Sequence, residues 1–220
     1  MNTSCDICNG TGWLSRDLPI SDPNFGKVFP CDCQTPSIRE TWLKNCGLST
    51  SQLSSDIKQF EIIGEGTRNM MNAAKIFLKN PVSILTIHGN NGVGKTTLAY
   101  FMTRKLIESG YQTIYTTGPD MFNWIRDGYN QTKPDETALR RMKMLEEIQI
   151  LIIDELDKIR PTEWAQEMMG LFIDQRYRNK DHLGTIIICN DLNSLRRDVA
   201  SRLMEGFVIR NNDPDHRKAG

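Results

Sequence analysis

The sequence contains no long hydrophobic run and no excess of either charge. Its longest apolar runs, at residues 150–153 and 186–189, are far too short to span a bilayer and suit buried strands. Residues 1–6 have neither the basic nor the apolar region of a secretory signal. We therefore expect a cytoplasmic protein without a membrane segment. Its thiols would stay reduced and serve as ligands or core residues rather than as disulfides.

The composition excludes several further classes of protein. The 220 residues carry 27 Lys+Arg against 27 Asp+Glu, and 39% of them are hydrophobic. Such a chain is not collagen-like, low-complexity or a disulfide-dense miniprotein. Zero formal charge argues against a strongly basic nucleic-acid coat or an acidic tail, although it is compatible with a local basic patch. The length suits one domain of ordinary size with a small appendage.

Five of the six cysteines lie in the first 46 residues. Cys5 and Cys8 form a C-x2-C pair followed by a Gly-rich turn, which is half of a zinc site because the spacing lets two thiolates converge on one ion. Cys31 and Cys33 would supply the other half, with a spacing one residue tighter than usual. A four-thiolate site contributes roughly 10–16 kcal/mol of apparent binding energy, enough to fold a segment with few apolar residues. The alternatives are a loose tail with incidental thiols, or Cys46 replacing one ligand, although the surroundings of Cys46 favour packing.

Three regions follow from the pattern along the chain. We predict a zinc-binding module over residues 1–50, a helical connector over 51–80 and an α/β domain over 81–220. Within the last region strands and helices alternate, which predicts a parallel sheet covered by helices on both faces. The predicted strands are 82–88, 111–116, 148–153, 184–189 and 207–210, and the predicted helices are 96–109, 119–128, 138–147, 161–179, with Pro161 in its first turn, and 194–205.

A glycine-rich loop follows the first of these strands. Residues 89–96 match G-x-x-x-x-G-K-[ST] at every fixed position, between a predicted strand and a predicted helix. The glycines let backbone N–H groups point towards phosphate, and the helix N-terminus adds its positive dipole. Lys95 would reach the β- and γ-phosphates, and the Thr96 hydroxyl would bind Mg²⁺. The predicted nucleotide-binding residues are Gly89, Asn90, Asn91, Gly92, Val93, Gly94, Lys95, Thr96 and Thr97.

Two carboxylates follow the buried strand at 148–153, at the edge of the sheet where ligands of α/β proteins bind. Asp154 would hold Mg²⁺, and Glu155 is placed to polarise the attacking water as a general base. The adjacent glutamate favours hydrolysis of ATP over a small-molecule kinase, in which a bound substrate accepts the phosphate.

Polar residues after the next strand extend the candidate site. Asn190 ends that strand and could contact the γ-phosphate or orient the water. Arg202 lies on the last predicted helix and could be an arginine finger that reaches the ATP of a neighbouring subunit, or a plain surface charge. Arg196 and Arg197 are rivals for the role of finger.

Taken together, these motifs resemble the AAA+ ATPases. Within them the sequence is similar to the DnaC/IstB-type branch, which comprises bacterial and phage replicative helicase loaders and transposition helper ATPases. The cysteine segment is similar to the zinc-binding leader of some loader-like proteins. The likeness rests on the loop at 89–96, the Asp154-Glu155 pair, Asn190, Arg202 and the stretches 115–122 and 172–178.

The resemblance implies a P-loop AAA+ domain with a five-stranded parallel sheet. Only 18 residues follow Arg202, so the helical lid would be reduced or absent. The resemblance also implies that Mg·ATP binding and hydrolysis control delivery of a replicative helicase onto single-stranded DNA. The chain would act as a homo-oligomer in which Arg202 acts in trans. The zinc module would bind the helicase. A transposition helper and a non-hydrolysing, nucleotide-dependent helicase regulator are the alternatives.

A DNA-binding surface is the least specific expectation. Arg140, Arg141 and Lys143 lie between the second and third strands of the domain, where they could neutralise phosphates of single-stranded DNA. Glu146 and Glu147 follow at once, and an ordinary solvated helix face explains the pattern equally well.

Overall fold

The computed structural model describes residues 35–54, 62, 64–130 and 134–215, and within the first 34 residues it describes 5, 7–8, 11, 13–15, 19–20, 25 and 28–31. The N-terminal part contains two short antiparallel strands, β1 (Trp13–Ser15) and β2 (Val28–Pro30). Helices α1 (Thr35–Asn45) and α2 (Thr50–Leu53) follow.

Helices and strands alternate through the rest of the described chain. Short 3-10 helices lie at Gly128–Asn130, Leu156–Lys158 and Leu192–Ser194. The regular elements are α3 (Glu65–Lys79), β3 (Ser83–Gly89), α4 (Lys95–Glu108), β4 (Thr113–Thr117), α5 (Gly118–Asp127), α6 (Pro134–Glu147), β5 (Ile150–Asp154), α7 (Glu163–Arg178), β6 (Gly184–Ile188), α8 (Arg197–Met204) and β7 (Phe207–Asn211).

The predicted five-stranded parallel sheet is confirmed, with strand order β4-β5-β6-β3-β7. Every residue of β5 and of β6 is buried, which is why these strands read as continuous runs of Ile and Leu. Since β5, β6 and β3 are neighbours, their carboxyl ends lie side by side at one edge. The loop after β3, Asp154 and Asn190 therefore meet at this edge.

Alternate residues of the strands pack into two cores on opposite faces of the sheet. Leu151 and Ile153 face a cluster that α5, α7 and α8 cover. Ile150 and Ile152 face a second cluster, to which α3 and α4 contribute together with Cys46 and residues of α1. No helix in the described ranges is both long enough and apolar enough to cross a membrane.

Three predicted helix starts are wrong: α6 begins at Pro134, four residues before the predicted residue 138, and capping explains the other two. Helix α7 begins at Glu163 because the Thr162 hydroxyl accepts a hydrogen bond from a first-turn N–H at 3.2 Å, so Pro161 precedes the cap and lies outside the first turn. Helix α8 begins at Arg197 rather than at residue 194, because Asp191 caps the preceding 3-10 helix.

A buried arginine connects α7 to the sheet. Arg176 is 0% exposed, and burial lowers the pKa of its guanidinium to about 10. Its N–H groups donate hydrogen bonds to the Thr185 hydroxyl and to the carbonyls of Leu145, Glu146, Ile148 and Gly184. This guanidinium thus satisfies the last carbonyls of α6 and the start of β6.

The segment between α1 and α2 packs directly on the α/β domain. Cys46 is fully buried, and its thiol donates to the Leu43 carbonyl at 3.2 Å, so it is a core residue, as its surroundings predict. The Tyr115 N–H in β4 donates to the Cys46 carbonyl at 2.7 Å. Gly47 has φ +88°, and a Cβ there would lie 2.1 Å from the Tyr115 carbonyl oxygen, so only glycine permits this approach.

Candidate nucleotide-binding site

The glycine-rich loop joins β3 to α4 in the predicted strand–loop–helix arrangement. Gly89 has φ +125°, and a Cβ there would lie 2.0 Å from the Asn211 carbonyl oxygen of β7. Gly94 is the N-cap of α4, has φ +85° and offers no side chain to cap the helix. The first N–H groups of α4 therefore remain directed at the loop, where they can bind an anion such as phosphate.

The structure brings Lys95 and Asn190 together. The Lys95 side chain is buried, and its ammonium donates to the carbonyls of Gly89 and Asn90 at 2.8 and 2.6 Å and to Asn190 Oδ1 at 2.9 Å. Burial lowers the pKa of this ammonium, and the charge of Asp154 opposes that shift. A long cation thus lies in the loop, within reach of any phosphate that the loop binds.

Asp154 lies at the end of β5, only 2% exposed. Its Oδ1 accepts from the Glu155 N–H at 2.8 Å and its Oδ2 accepts from the Tyr115 hydroxyl at 3.1 Å, while the Thr96 hydroxyl is a further hydrogen-bond partner. Burial raises the pKa of the carboxyl, and these hydrogen bonds oppose the shift. A hydroxyl beside a carboxylate fits Mg²⁺, which is bound by few protein oxygens together with phosphates and water.

Glu155 has a left-handed backbone, with φ +55° and ψ +39°. A non-glycine residue adopts this conformation at a cost of about 1–2 kcal/mol. Here it turns the chain sharply from β5 into the 3-10 helix at Leu156–Lys158, and strain of this kind is concentrated at functional sites. The Glu155 carboxylate forms an ion pair with the Lys158 ammonium, and both side chains are partly exposed.

Asp157 is a site residue that the sequence reading missed. Its Oδ2 accepts from the N–H groups of Asn190 and Asp191 at 3.0 and 3.3 Å, which fixes the turn that carries the Asn190 side chain. Its Oδ1 is buried and, within the described ranges, has no hydrogen-bond partner. The only sequence signal is a third carboxylate two residues after Glu155, on a turn that returns towards the neighbouring strand.

The chain after β7 lies against the loop. The Asn90 amide donates to the carbonyls of Asn212 and Asp213 at 3.0 and 3.1 Å. Asp215 approaches Gly92 so closely that a Cβ on that glycine would lie 1.7 Å from the Asp215 Oδ1 atom. A negative carboxylate therefore stands beside backbone N–H groups suited to phosphate.

Arg202 lies away from these groups, on α8. Its Nε is 3.3 Å from Asp174 Oδ1, and its guanidinium lies 4.7 Å from the centre of the Tyr177 ring on α7. Arg196 pairs with Asp198, and Arg197 is exposed at the start of α8. A finger role in a neighbouring subunit stays a prediction for all three arginines.

The residues proposed to contact DNA lie on α6, and two of them have partners within the chain. Arg141 stacks 5.0 Å from the Trp124 ring centre and donates to the Trp124 carbonyl, which joins α6 to α5. Lys143 is 3.7 Å from Glu147, and Arg140 is exposed. Their contact with DNA stays a prediction.

Three of the four predicted zinc ligands converge in the N-terminal part. The sulfurs of Cys5, Cys8 and Cys31 all lie within 4.8 Å of one another, and the Sγ atoms of Cys5 and Cys31 are 3.7 Å apart. A tetrahedron with Zn–S bonds of about 2.3 Å has edges of about 3.8 Å, so the spacing fits a zinc thiolate site. Cys33, the fourth predicted ligand, lies outside the described residues.

Residues 85–211 match the ATPase family associated with various cellular activities (AAA). No curated protein matches the chain in sequence.

Solved structures show the same fold at low identity. A DnaC helicase loader is 20% identical with a TM-score of 0.64, over 74% of this chain and 100% of that one. A DnaI structure is 15% identical with a TM-score of 0.60, over 74% and 94%. AMPPCP-bound DnaA from Aquifex aeolicus is 21% identical with a TM-score of 0.60, over 71% and 50%. The chain thus spans about half the length of the DnaA protein but nearly all of the two smaller ones.

Proposed function

Since this chain belongs to the AAA family of ATPases, we propose that it binds and hydrolyses Mg·ATP to control delivery of a replicative helicase onto single-stranded DNA. The observation that carries the proposal is the convergence of three strand ends. They bring Lys95 onto Asn190 and Thr96 onto Asp154 at one edge of the sheet. That set contains a cation for phosphate, oxygens for Mg²⁺ and an amide for the γ-phosphate or the attacking water.

Each group has a role that follows from its position. The loop at 89–97 would bind the phosphates, with Lys95 exchanging the loop carbonyls for phosphate oxygens. Thr96 and Asp154 would hold Mg²⁺, which neutralises phosphate charge when bound. Glu155 would separate from Lys158 and then accept the proton of the attacking water. Asn190 would orient that water, and Asp157 would hold the turn that carries Asn190.

Likeness in size as well as fold supports the helicase-loader assignment. The DnaC loader and DnaI are matched over nearly their whole length. The cysteine cluster lies in the chain before the ATPase domain. We propose that this module, with Cys33 as fourth ligand, binds zinc and holds the helicase. In an oligomer, Arg202 would reach the neighbouring site, and Arg140, Arg141 and Lys143 would face single-stranded DNA.

Steady-state hydrolysis with and without single-stranded DNA tests the ATPase. The wild type is expected to turn over ATP, and Glu155→Gln is expected to bind nucleotide as tightly while losing at least about 100-fold in rate, as for removal of a general base. Lys95→Ala is expected to lose nucleotide binding itself. If the wild type shows no turnover and Glu155→Gln behaves identically, the chain is a nucleotide-dependent regulator rather than an ATPase.

Co-purification tests the partner. The wild type is expected to retain a replicative helicase, whereas Cys5→Ser and Cys8→Ser would lose both zinc and the helicase. Cys46→Ser is the matched control, because Cys46 lies in the core and its hydroxyl replacement can still donate to the Leu43 carbonyl. Retention of a transposase instead would favour the transposition helper, which has the same fold. Helicase binding that survives zinc loss would contradict the role assigned to the module.

A further inference from the structure

A chain of contacting side chains connects α2 with the carboxylate of Asp154. The Gln52 amide donates to the Tyr100 hydroxyl at 2.9 Å, and the Tyr100 and Tyr115 rings pack edge-to-face with centroids 5.2 Å apart. The Tyr115 hydroxyl in turn lies 3.1 Å from Asp154 Oδ2. We propose that Tyr115 is a positioning residue for Asp154, and that this relay, Gln52–Tyr100–Tyr115, couples the α1–α2 segment to Mg²⁺ binding.

The chemistry of the groups fixes the direction of the two hydrogen bonds at the ends of the relay. An ionised Asp154 can only accept, so the Tyr115 hydroxyl must donate to it. Tyr100 accepts from Gln52, whose NH2 group is a donor only. The contact between the two tyrosine rings links these two bonds.

The metal end of the relay is buried and tightly held. Tyr115 is 6% exposed, and its ring packs edge-to-face on that of Tyr100 with centroids 5.2 Å apart. Burial and the charge of Asp154 raise the pKa of the phenol, so it stays a neutral donor. Thr96 contacts the same carboxylate. Loss of the Tyr115 hydroxyl would therefore remove one of the groups that hold Asp154, without opening the site to solvent.

The other end of the relay is held by a capping box at the start of α2. The Ser49 N–H and hydroxyl both donate to Gln52 Oε1 at 2.8 Å, which directs the NH2 group of Gln52 at Tyr100. The same segment is fixed to the ATPase domain by the Tyr115–Cys46 backbone bond and by a bond at 3.0 Å from Arg104 to the Leu53 carbonyl.

This placement explains how the N-terminal module could influence the site. The segment at 46–53 lies in the chain between the cysteine cluster and the ATPase domain, and it contacts both tyrosines of the relay through Gln52 and Cys46. A partner that shifts this segment would move Tyr100 and Tyr115, and hence Asp154. The inference rests on the proposed Mg·ATP site.

Substitutions can break the relay at each step with little change in volume. Tyr115→Phe and Tyr100→Phe remove single hydroxyls. Gln52→Glu keeps the oxygen that accepts from Ser49 but replaces the donor with an acceptor, so Tyr100 loses its hydrogen bond from α2 and its ring is held less firmly against Tyr115. Tyr111→Phe is the matched control, since Tyr111 packs against the same core cluster two residues before β4.

The measurement is the affinity for a non-hydrolysable ATP analogue with excess Mg²⁺ and again with EDTA. By linkage, the ratio of the two affinities reports how well the site holds the metal. We expect that ratio to fall about tenfold in Tyr115→Phe, the size of effect typical for a residue that orients a metal ligand, with the EDTA affinity unchanged. Tyr100→Phe and Gln52→Glu should show smaller decreases, and Tyr111→Phe none.

Two further readouts test the coupling itself. In a double-mutant cycle, Gln52→Glu should have no additional effect once Tyr115 is Phe. Hydrogen exchange of amides 49–54 should slow when the Mg²⁺ analogue binds to the wild type, and should not respond in Tyr115→Phe.

The outcomes separate the relay from the function on which it rests. A wild type that binds no Mg²⁺-nucleotide overturns both. A wild type that binds it, with variants whose affinity ratios equal that of the wild type, overturns the relay and leaves the ATPase in place. Equal losses with and without Mg²⁺ would show a purely structural role for Tyr115 and overturn its role in positioning Asp154.

Discussion

Removal of the Lys158 ammonium is expected to raise the basal ATPase rate by a factor of up to about five. Lys158 forms an ion pair with Glu155, the proposed general base, three residues before it. A carboxylate that is paired with an ammonium must separate from that partner before it can accept a proton from water. Lys158→Met removes the charge and keeps most of the apolar stem.

The exposure of the pair sets the size of the effect. The Lys158 and Glu155 side chains are 51% and 39% exposed, so water screens their attraction. Pairs of this kind contribute about 0.2–1 kcal/mol, which corresponds to a factor of about 1.4 to 5 in the population of unpaired Glu155. The left-handed backbone of Glu155 is independent of the ion pair, so the carboxylate keeps its place when Lys158 is replaced.

Phosphate release at saturating Mg·ATP measures this effect. The matched control is Lys105→Met, because Lys105 pairs with Glu108 at the same spacing and similar exposure, on α4. The control should leave the rate unchanged, and Lys158→Met should have no effect when Glu155 is already Gln. A lower rate in Lys158→Met would refute the reasoning, since it would mean that the lysine assists the reaction rather than restraining the base.

Three other substitutions have outcomes that the structure predicts. Arg176→Met is expected to lower the free energy of unfolding in urea by about 2–4 kcal/mol. Fully buried acceptors lose their donor at a cost of about 1–3 kcal/mol each. Part of this cost is offset, because the variant no longer buries a guanidinium whose pKa burial lowers to about 10. Asp154→Asn should abolish Mg²⁺-dependent hydrolysis yet raise the melting temperature. Burial raises the pKa of this carboxyl, so its charge opposes folding above the ordinary Asp pKa; a lower melting temperature would contradict this. Asp215→Asn should tighten nucleotide binding several-fold in a fluorescence titration, because the carboxylate beside Gly92 repels phosphate, and unchanged affinity would show that it moves away freely.

The phosphate-binding loop and the carboxylates after β5 can be predicted from sequence because each is a local pattern. The loop needs only spaced glycines and a Lys-Thr pair between a strand and a helix, and the position of Asp154 follows from the apolar run before it. The contacts of Asp154 do not follow in this way. Its bond with Tyr115 joins residues 39 positions apart, and depends on the register that pairs Thr117 with Asp154.

Helix capping and the path of the chain after β7 account for two further differences between the sequence-based prediction and the structure. The displaced start of α7 depends on which of two adjacent residues, Pro161 or Thr162, lies at the cap, and helical periodicity does not distinguish them. The approach of Asp215 to Gly92 depends on β7 lying beside β3, which sequence spacing leaves undetermined.

In the arrangement observed here, each group that would act on Mg·ATP already has a partner within the chain. Lys95 is bound by two carbonyls and Asn190, Glu155 by Lys158, and Asp215 lies against the loop. Nucleotide must displace several of these contacts together, and each displacement reduces its apparent affinity by the free energy of the contact that is lost. Asp154 differs, because its position depends on Tyr115 and so on the segment before the ATPase domain. If the proposed relay operates, a partner bound to the N-terminal module would change metal binding without touching the nucleotide, and that segment would be the point at which the partner controls turnover.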